Sequence, residues 1–171
     1  MEIIPNWHPL FVHFTIGIFG VSVIFYITAY ALSIVKPSLL YVSQLKLSAL
    51  WCLRMAGIFT LFTLGAGLYA YMTVQHIEEA HPFMLIHRNW ALPTGIGIIV
   101  MSIFATWFEK GNSRYRIFLL LLIILQILVM YVGWLGAELV FRHGVGVIPV
   151  TQPLAPNQTK DSMPKMPHHE H

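Results

Sequence analysis

The stretch His8-Pro9-Leu10-Phe11-Val12-His13-Phe14 places two histidines at the start of a long apolar run. From Pro9 to Val35 the chain has no Asp, Glu, Lys or Arg, so the run exceeds the ~20 residues that span a bilayer core as an α-helix. It lacks the basic start and the small-residue cleavage pattern of a signal peptide, and it is too long for one. We therefore expect a retained transmembrane helix with histidines near its N-terminal end.

Three further apolar runs follow, each separated from the next by a polar connection. They extend from about Leu47 to Val74, from Leu85 to Phe108 and from Ile117 to Phe141. Tyr41 to Lys46 is expected to form a short amphipathic link before the second run. After Arg142, glycines and prolines predict irregular structure. The prediction is an all-α, transmembrane four-helix bundle over residues 1–148 and an irregular tail over residues 149–171.

The composition excludes several classes of protein. The chain is 57% hydrophobic and only 10% charged, whereas a soluble domain has about 25% charged residues. Its ten Lys and Arg residues form no basic face, which argues against a nucleic-acid partner and leaves the lipid bilayer as the main one. Because Cys52 is the sole cysteine, disulfides, Cys-based zinc sites and the thioether attachment of c-type haem are excluded.

The charges of the short connections predict the orientation of the bundle. The face formed by the first and third connections has six basic residues and one acid, Glu109, while the acids otherwise lie on the opposite face. The positive-inside rule then places both termini outside, which is the periplasm for a bacterial inner membrane. The six basic residues are Lys36, Lys46, Arg54, Lys110, Arg114 and Arg116.

All histidines fall on the predicted outer side. They occur at the start of the first helix, the end of the second, the start of the third and the end of the fourth. Neutral imidazoles from two facing helices can bind a haem iron on both sides, although histidine also sits at the headgroup level without any ligand. The six near the membrane are His8, His13, His76, His81, His87 and His143.

Other residues at this level fit a haem. Arg88 and Arg142 adjoin His87 and His143 in sequence, and arginine suits the carboxylates of haem propionates. Small residues accompany the histidines on their helix faces. These would let a porphyrin approach the backbone, or they would mediate ordinary helix contacts in a membrane. The small residues are Gly17, Gly20, Ala91, Gly95, Gly133 and Gly136. Gly57, Gly65 and Gly67 have no histidine in register, and helix packing explains them.

The tail ends in Met163, Met166, His168, His169 and His171. Thioether and imidazole ligands of this kind suit copper, so copper in the tail is a second metal hypothesis. Such tails also bind metal weakly or not at all when no fold fixes their ligands.

Two end motifs resemble the domain-of-unknown-function 2231 family of bacterial membrane proteins. His8–Phe14 resembles the opening HP-x-x-VHF-P motif, with Thr15 in place of the usual proline, and Gly136–Val147 resembles the closing GGELVYRHGVGV motif. Leu85–Ala91 is similar to the start of the family's third helix. The resemblance covers about residues 5–148 and implies a four-span, cytochrome-like protein.

Carried over from the family, the histidines are His8, His13, His87 and His143, which would suffice for two bis-histidine haems. His76 and His81 lie outside the family pattern, so they are the weaker candidates for iron ligands. Some members of the family are joined to cytochrome c domains, which favours respiratory electron transfer.

The sequence thus predicts a b-type cytochrome-like subunit with one or two haem b groups near the periplasmic face. It would relay electrons between the quinone pool or a periplasmic c-type cytochrome and a redox partner, as a subunit of a larger complex. Two alternatives remain open: a non-haem membrane protein that binds copper or another divalent ion, and a structural subunit of a membrane complex. Whether the chain is itself an enzyme stays undecided.

Overall fold

The computed structural model describes residues 6–36, 40–74, 78–109 and 112–147. The tail 149–171 and His76 lie outside these ranges. The described residues form four long helices and contain no strand. The helices are α1 (His8–Val35), α2 (Leu40–Thr73), α3 (His81–Phe108) and α4 (Asn112–Phe141), with a short 3₁₀ helix at Glu78–Ala80 before α3.

The helices begin earlier than the apolar runs indicate. The predicted link from Tyr41 to Lys46 is wrong, because these residues form the first turns of α2. No glycine or proline separates them from the apolar run, so nothing stops the helix there. For the same reason α4 includes Ser113 to Arg116, which were expected in the third polar connection. α3 begins at His81 with Pro82 in its first turn, where a missing N–H costs nothing.

All four helices are long and apolar enough to cross a membrane. Their outward faces carry large apolar side chains, with Ile24, Ile103 and Ile127 each more than 60% exposed. Contiguous apolar exposure on this scale is incompatible with water as the solvent. A bundle that is apolar both inside and outside is a membrane bundle, as the sequence predicts.

The helices pack in chain order around the bundle. α1 contacts α2 most extensively, α2 contacts α3, α3 contacts α4, and the α1–α4 seam is the loosest of the four. α1 and α3 therefore lie diagonally across the bundle axis. This arrangement lets a side chain on α1 meet one on α3 only at the centre.

One half of the bundle is filled by a tight aromatic core, and we call it the packed half. It contains the last turns of α1 and α3 and the first turns of α2 and α4. The Tyr26 ring is fully buried against Phe118, with centroids 5.1 Å apart, and its hydroxyl donates to Oε1 of Glu109 at 2.7 Å. The ammonium of Lys46 lies 4.8 Å from the centroid of the Tyr115 ring. The interior of this half is filled by its own side chains.

Candidate cofactor site

The opposite half of the bundle contains a cavity of about 310 Å³, and we call it the cavity half. It lies among the first turns of α1 and α3 and the last turns of α2 and α4, and all four helices line it. Its size is at the lower end of the range typical of small-molecule sites. The small lining residues are Gly67, Ala70, Ala91, Gly95, Gly133 and Gly136.

His8 reaches the cavity from the first turn of α1. The helix begins there because Pro9 occupies its first turn, and the His8 N–H donates to Oδ1 of Asn6 at 3.2 Å. Nδ1 of His8 lies 3.1 Å from the backbone oxygen of Thr63 on α2. A carbonyl oxygen only accepts, so Nδ1 carries the hydrogen and Nε2 keeps a free lone pair.

A glycine on α2 makes room for the His8 ring. A Cβ atom added at Gly67 would lie 2.9 Å from Cε1 of His8 and 3.0 Å from its Nδ1. The interpretation that Gly67 has no histidine to accommodate is therefore wrong. Sequence reasoning missed it because the partner is on another helix, and no pattern within α2 marks the position.

His87 enters from the second turn of α3, on the other side of the bundle axis. Its Nδ1 is buried and has no hydrogen-bond partner among the residues that the structure describes, while the ring also interacts with the backbone of Val132. A Cβ added at Gly136 would meet Cε1 of His87 at 3.4 Å. A buried nitrogen without a partner raises the free energy of the folded state. A bound group that supplied a partner for Nδ1 of His87 would remove this cost.

The rings of His8 and His87 face each other across the cavity half. Their centroids are 6.5 Å apart, and the ring planes make an angle of 82°. This is the pairing of imidazoles from different helices that the sequence predicts, although a single sequence gave no means of choosing these two.

The remaining candidate histidines have other surroundings. The exposed His13 ring lies on the cavity wall and hydrogen-bonds through Nδ1 to the Pro9 carbonyl of its own helix. His143 stacks on Phe83 with ring centroids 4.1 Å apart and is not among the lining residues. His81 is exposed beside the ring of Tyr71, at a centroid distance of 6.2 Å.

The two candidate arginines also differ. Arg88 lines the cavity, and its guanidinium lies 5.0 Å from the centroid of the Tyr71 ring. The Arg142 side chain is 75% exposed, and its Nε pairs with Oε2 of Glu138 at 2.8 Å. Of the two, only Arg88 is positioned to reach a molecule in the cavity.

The small residues near the histidines fall into two groups. Gly136, expected beside His143, instead accommodates His87 on the neighbouring helix. Gly95 packs closely against Leu64, as ordinary helix contact requires, and Gly17 faces away from the bundle with open space around it. Ordinary helix contact is therefore shown at Gly95 and room for a histidine ring at Gly136, while a porphyrin against the small residues stays a prediction.

The described part of the chain contains no group of three or more His, Cys, Asp or Glu side chains that could hold a metal ion. The Met and His residues of the tail lie outside the described ranges. Within those ranges, His8, His13 and His87 line one cavity, and His8 and His87 are the two whose rings approach each other from different helices.

Comparison with known proteins identifies a family. The model of the family described as "Predicted membrane protein (DUF2231)" matches residues 5–149. No curated protein and no solved structure was found to match the chain. Because the matched region contains all four helices and both histidines of the facing pair, the chain belongs to the DUF2231 family of predicted membrane proteins.

Proposed function

We propose that this chain is a membrane-bound b-type cytochrome that holds one haem between His8 and His87. The separation of the two rings is the observation that carries the proposal. Two imidazoles on opposite sides of one metal ion, at metal–nitrogen distances of about 2.0–2.1 Å, have centroids roughly 6.3 Å apart. The rings of His8 and His87 are 6.5 Å apart before any group is placed between them.

The hydrogen bonding of His8 supports a role as a ligand. Metal-binding histidines commonly donate their second ring N–H to a carbonyl, which fixes the tautomer and the ring orientation. The bond from Nδ1 of His8 to the Thr63 carbonyl has this form. It leaves Nε2 available to bind iron.

The surroundings of His87 and the cavity lining are also consistent with a haem. The orphaned Nδ1 of His87 would gain a partner, and the apolar lining with its small residues suits a flat porphyrin. Arg88, on the cavity wall, would pair with a propionate. One haem is favoured over two, because His13 bonds to its own helix and His143 stacks on Phe83 outside the lining.

A bound haem supplies one-electron transfer. The chain's own residues would hold it, orient it and keep water from its faces. We further propose a bacterial inner membrane with both termini in the periplasm, since the basic residues cluster beside the packed half. The haem would then lie near the periplasmic face and relay electrons between the quinone pool or a c-type cytochrome and a partner subunit.

Absorption spectroscopy of the purified full chain tests the proposal. We expect a b-type alpha band after dithionite reduction and one haem per chain by the pyridine haemochrome assay. Because the imidazole planes are nearly perpendicular, the ferric protein should give a strongly anisotropic low-spin EPR signal.

Substitutions at the same level of the bundle provide the controls. His8→Ala and His87→Ala should each abolish haem binding, whereas His81→Ala and His143→Ala should retain it. Purified protein without haem but with stoichiometric copper would favour the non-haem alternative. A protein with neither, unaffected by His8→Ala, would favour a structural subunit.

A further inference from the structure

A second concave surface lies on the outer face of α1 and α2, next to the cavity. It is a shallow groove of about 260 Å³ that opens toward the lipid. Apart from one imidazole and one thiol, its lining is apolar. The lining residues are His13, Phe14, Gly17, Ile18, Val21 and Cys52.

Among the residues that the structure describes, none donates a hydrogen bond to Nε2 of His13, so His13 gives this groove an acceptor. Its Nδ1 lies within hydrogen-bond distance of the Pro9 carbonyl, which only accepts, so Nδ1 carries a hydrogen and, in the neutral tautomer, Nε2 presents its lone pair to the groove. His13 is five residues inside α1, about 7.5 Å along the helix axis. An acceptor without a donor at such a position in a membrane raises the free energy, and lipid acyl chains offer no donor.

The groove extends from that acceptor toward the middle of the bilayer. From His13 to Val21 is eight residues, about 12 Å along the helix. At Gly17, midway, an added Cβ would meet nothing within 4 Å, so the surface there is flat and open. A molecule with a hydrogen-bonding flat ring and an apolar tail matches this shape.

His13 also lines the cavity that contains His8 and His87. A single side chain is therefore shared by the groove and the proposed haem site. We propose that the groove binds a membrane quinol, with a ring hydroxyl donating to Nε2 of His13 and the tail lying along Gly17 and Val21. The choice of a redox-active ring rests on the proposed cytochrome function.

Two other occupants fit the groove less well. Phospholipid polar groups stay at the interface, whereas the groove runs inward as far as Val21. A second copy packed groove to groove would set one acceptor nitrogen of His13 opposite another. A quinol supplies the missing donor and the apolar tail in one molecule.

Photolabelling of the full chain in lipid nanodiscs tests this assignment. The probe is decylubiquinol with a diazirine at the end of its alkyl chain, and cross-linked peptides are identified by mass spectrometry. We expect labels within residues 13–21 and at Cys52. Excess decylubiquinol should suppress the labelling, and decanol should not.

A matched pair of glycine substitutions controls for changes in folding. Gly17→Leu should fill the groove and reduce the labelling about tenfold or more, equivalent to about 1.4 kcal/mol. Gly65→Leu introduces the same side chain at another exposed position with open space around it and should leave the labelling unchanged. His13→Phe, which keeps a ring but removes the acceptor, should reduce labelling about fivefold, the value of one hydrogen bond.

Three results would overturn the assignment. They are equal labelling in the Gly17→Leu and Gly65→Leu proteins, competition by decanol as strong as that by decylubiquinol, and conversion of a dimer to a monomer by Gly17→Leu in light scattering. Labelling needs no haem, so haem content measured on the same samples separates failure of the cytochrome proposal from failure of the quinol site.

Discussion

His8 and His13 are five residues apart on α1, and His13 also borders the lipid-facing groove whereas His8 does not. Five residues turn an α-helix through about 140° relative to the first position. When His8 points to the bundle axis and contacts Gly67, His13 must therefore lie at the edge, between the cavity and the lipid. One short motif thus supplies a residue for the interior and another for the outer surface.

Gly67 determines whether the His8 ring can stay in place. In Gly67→Ala the new Cβ would lie 2.9 Å from Cε1 of His8, so the ring must move and its bond to Thr63 is lost. Because only the end of a side chain shifts, we expect the unfolding free energy to fall by about 1 kcal/mol, while haem content falls severely. Pyridine haemochrome assays and denaturant titration measure the two effects. Gly65→Ala, in open space, should change neither, and normal haem content in Gly67→Ala would contradict this role.

Arg88 and Arg142 should differ in their effect on the midpoint potential of a bound haem. Arg88→Gln removes a positive charge from the cavity wall and should lower the midpoint potential, because the oxidised iron is then less disfavoured. Arg142→Gln removes an exposed charge paired with Glu138 and should leave the potential unchanged. Its effect on stability should be below about 0.5 kcal/mol, as for other exposed i,i+4 pairs. Spectroelectrochemical titration of both variants is the measurement, and equal shifts would refute the assignment.

At the level of the helices, the sequence was sufficient to predict their number, type and approximate extent. Length and hydropathy decide whether a segment crosses a membrane, and these properties are local. The starts of α2 and α4 were predicted too late, since the polar residues at Tyr41–Lys46 and Ser113–Arg116 were taken to end the helix although they can extend it. The composition of a segment shows whether it prefers lipid or water. The ends of a helix depend instead on where residues such as glycine and proline interrupt the helical backbone.

The rotation of each helix about its axis could not be predicted from one sequence. In a helix that is apolar on every side, the pattern of polar residues says little about which face points inward. The histidines that the structure describes lie at one end of the bundle, as predicted, yet the pairing of His8 with His87 depends on how α1 and α3 are turned. The 140° offset within α1 was the available signal that the rings of His8 and His13 would point in different directions.

Gly57 lets α2 and α3 approach closely in the membrane interior. A Cβ at Gly57 would lie 2.8 Å from Cβ of Ser102 and closer still to its hydroxyl. Gly57→Ala should therefore force the helices apart and destabilise the bundle by about 1–3 kcal/mol. Adding Ser102→Gly should recover part of that loss, because it removes the clashing side chain. Unfolding in mixed micelles measures both, and a double variant no more stable than Gly57→Ala would contradict direct contact as the cause.

The described residues form four candidate membrane spans, an even number, so the start of α1 and the end of α4 lie on the same side. The basic residues beside the packed half predict that this side is the periplasm. A C-terminal alkaline phosphatase fusion should therefore be active in a bacterial host, and a C-terminal fluorescent-protein fusion should be dark. A fusion at residue 110, between α3 and α4, should give the reverse pattern. The opposite result at both positions would invert the proposed location of the haem.

The two halves of the bundle differ in how they are filled. Around Tyr26 and Phe118 the helices hold together through their own side chains, while between His8 and His87 they leave space. We expect the polypeptide to complete insertion and helix association before any guest molecule arrives. The guest molecule then binds late and enters through the cavity half. A cell deprived of the guest should accumulate an intact precursor in its membrane instead of degrading an unfolded chain.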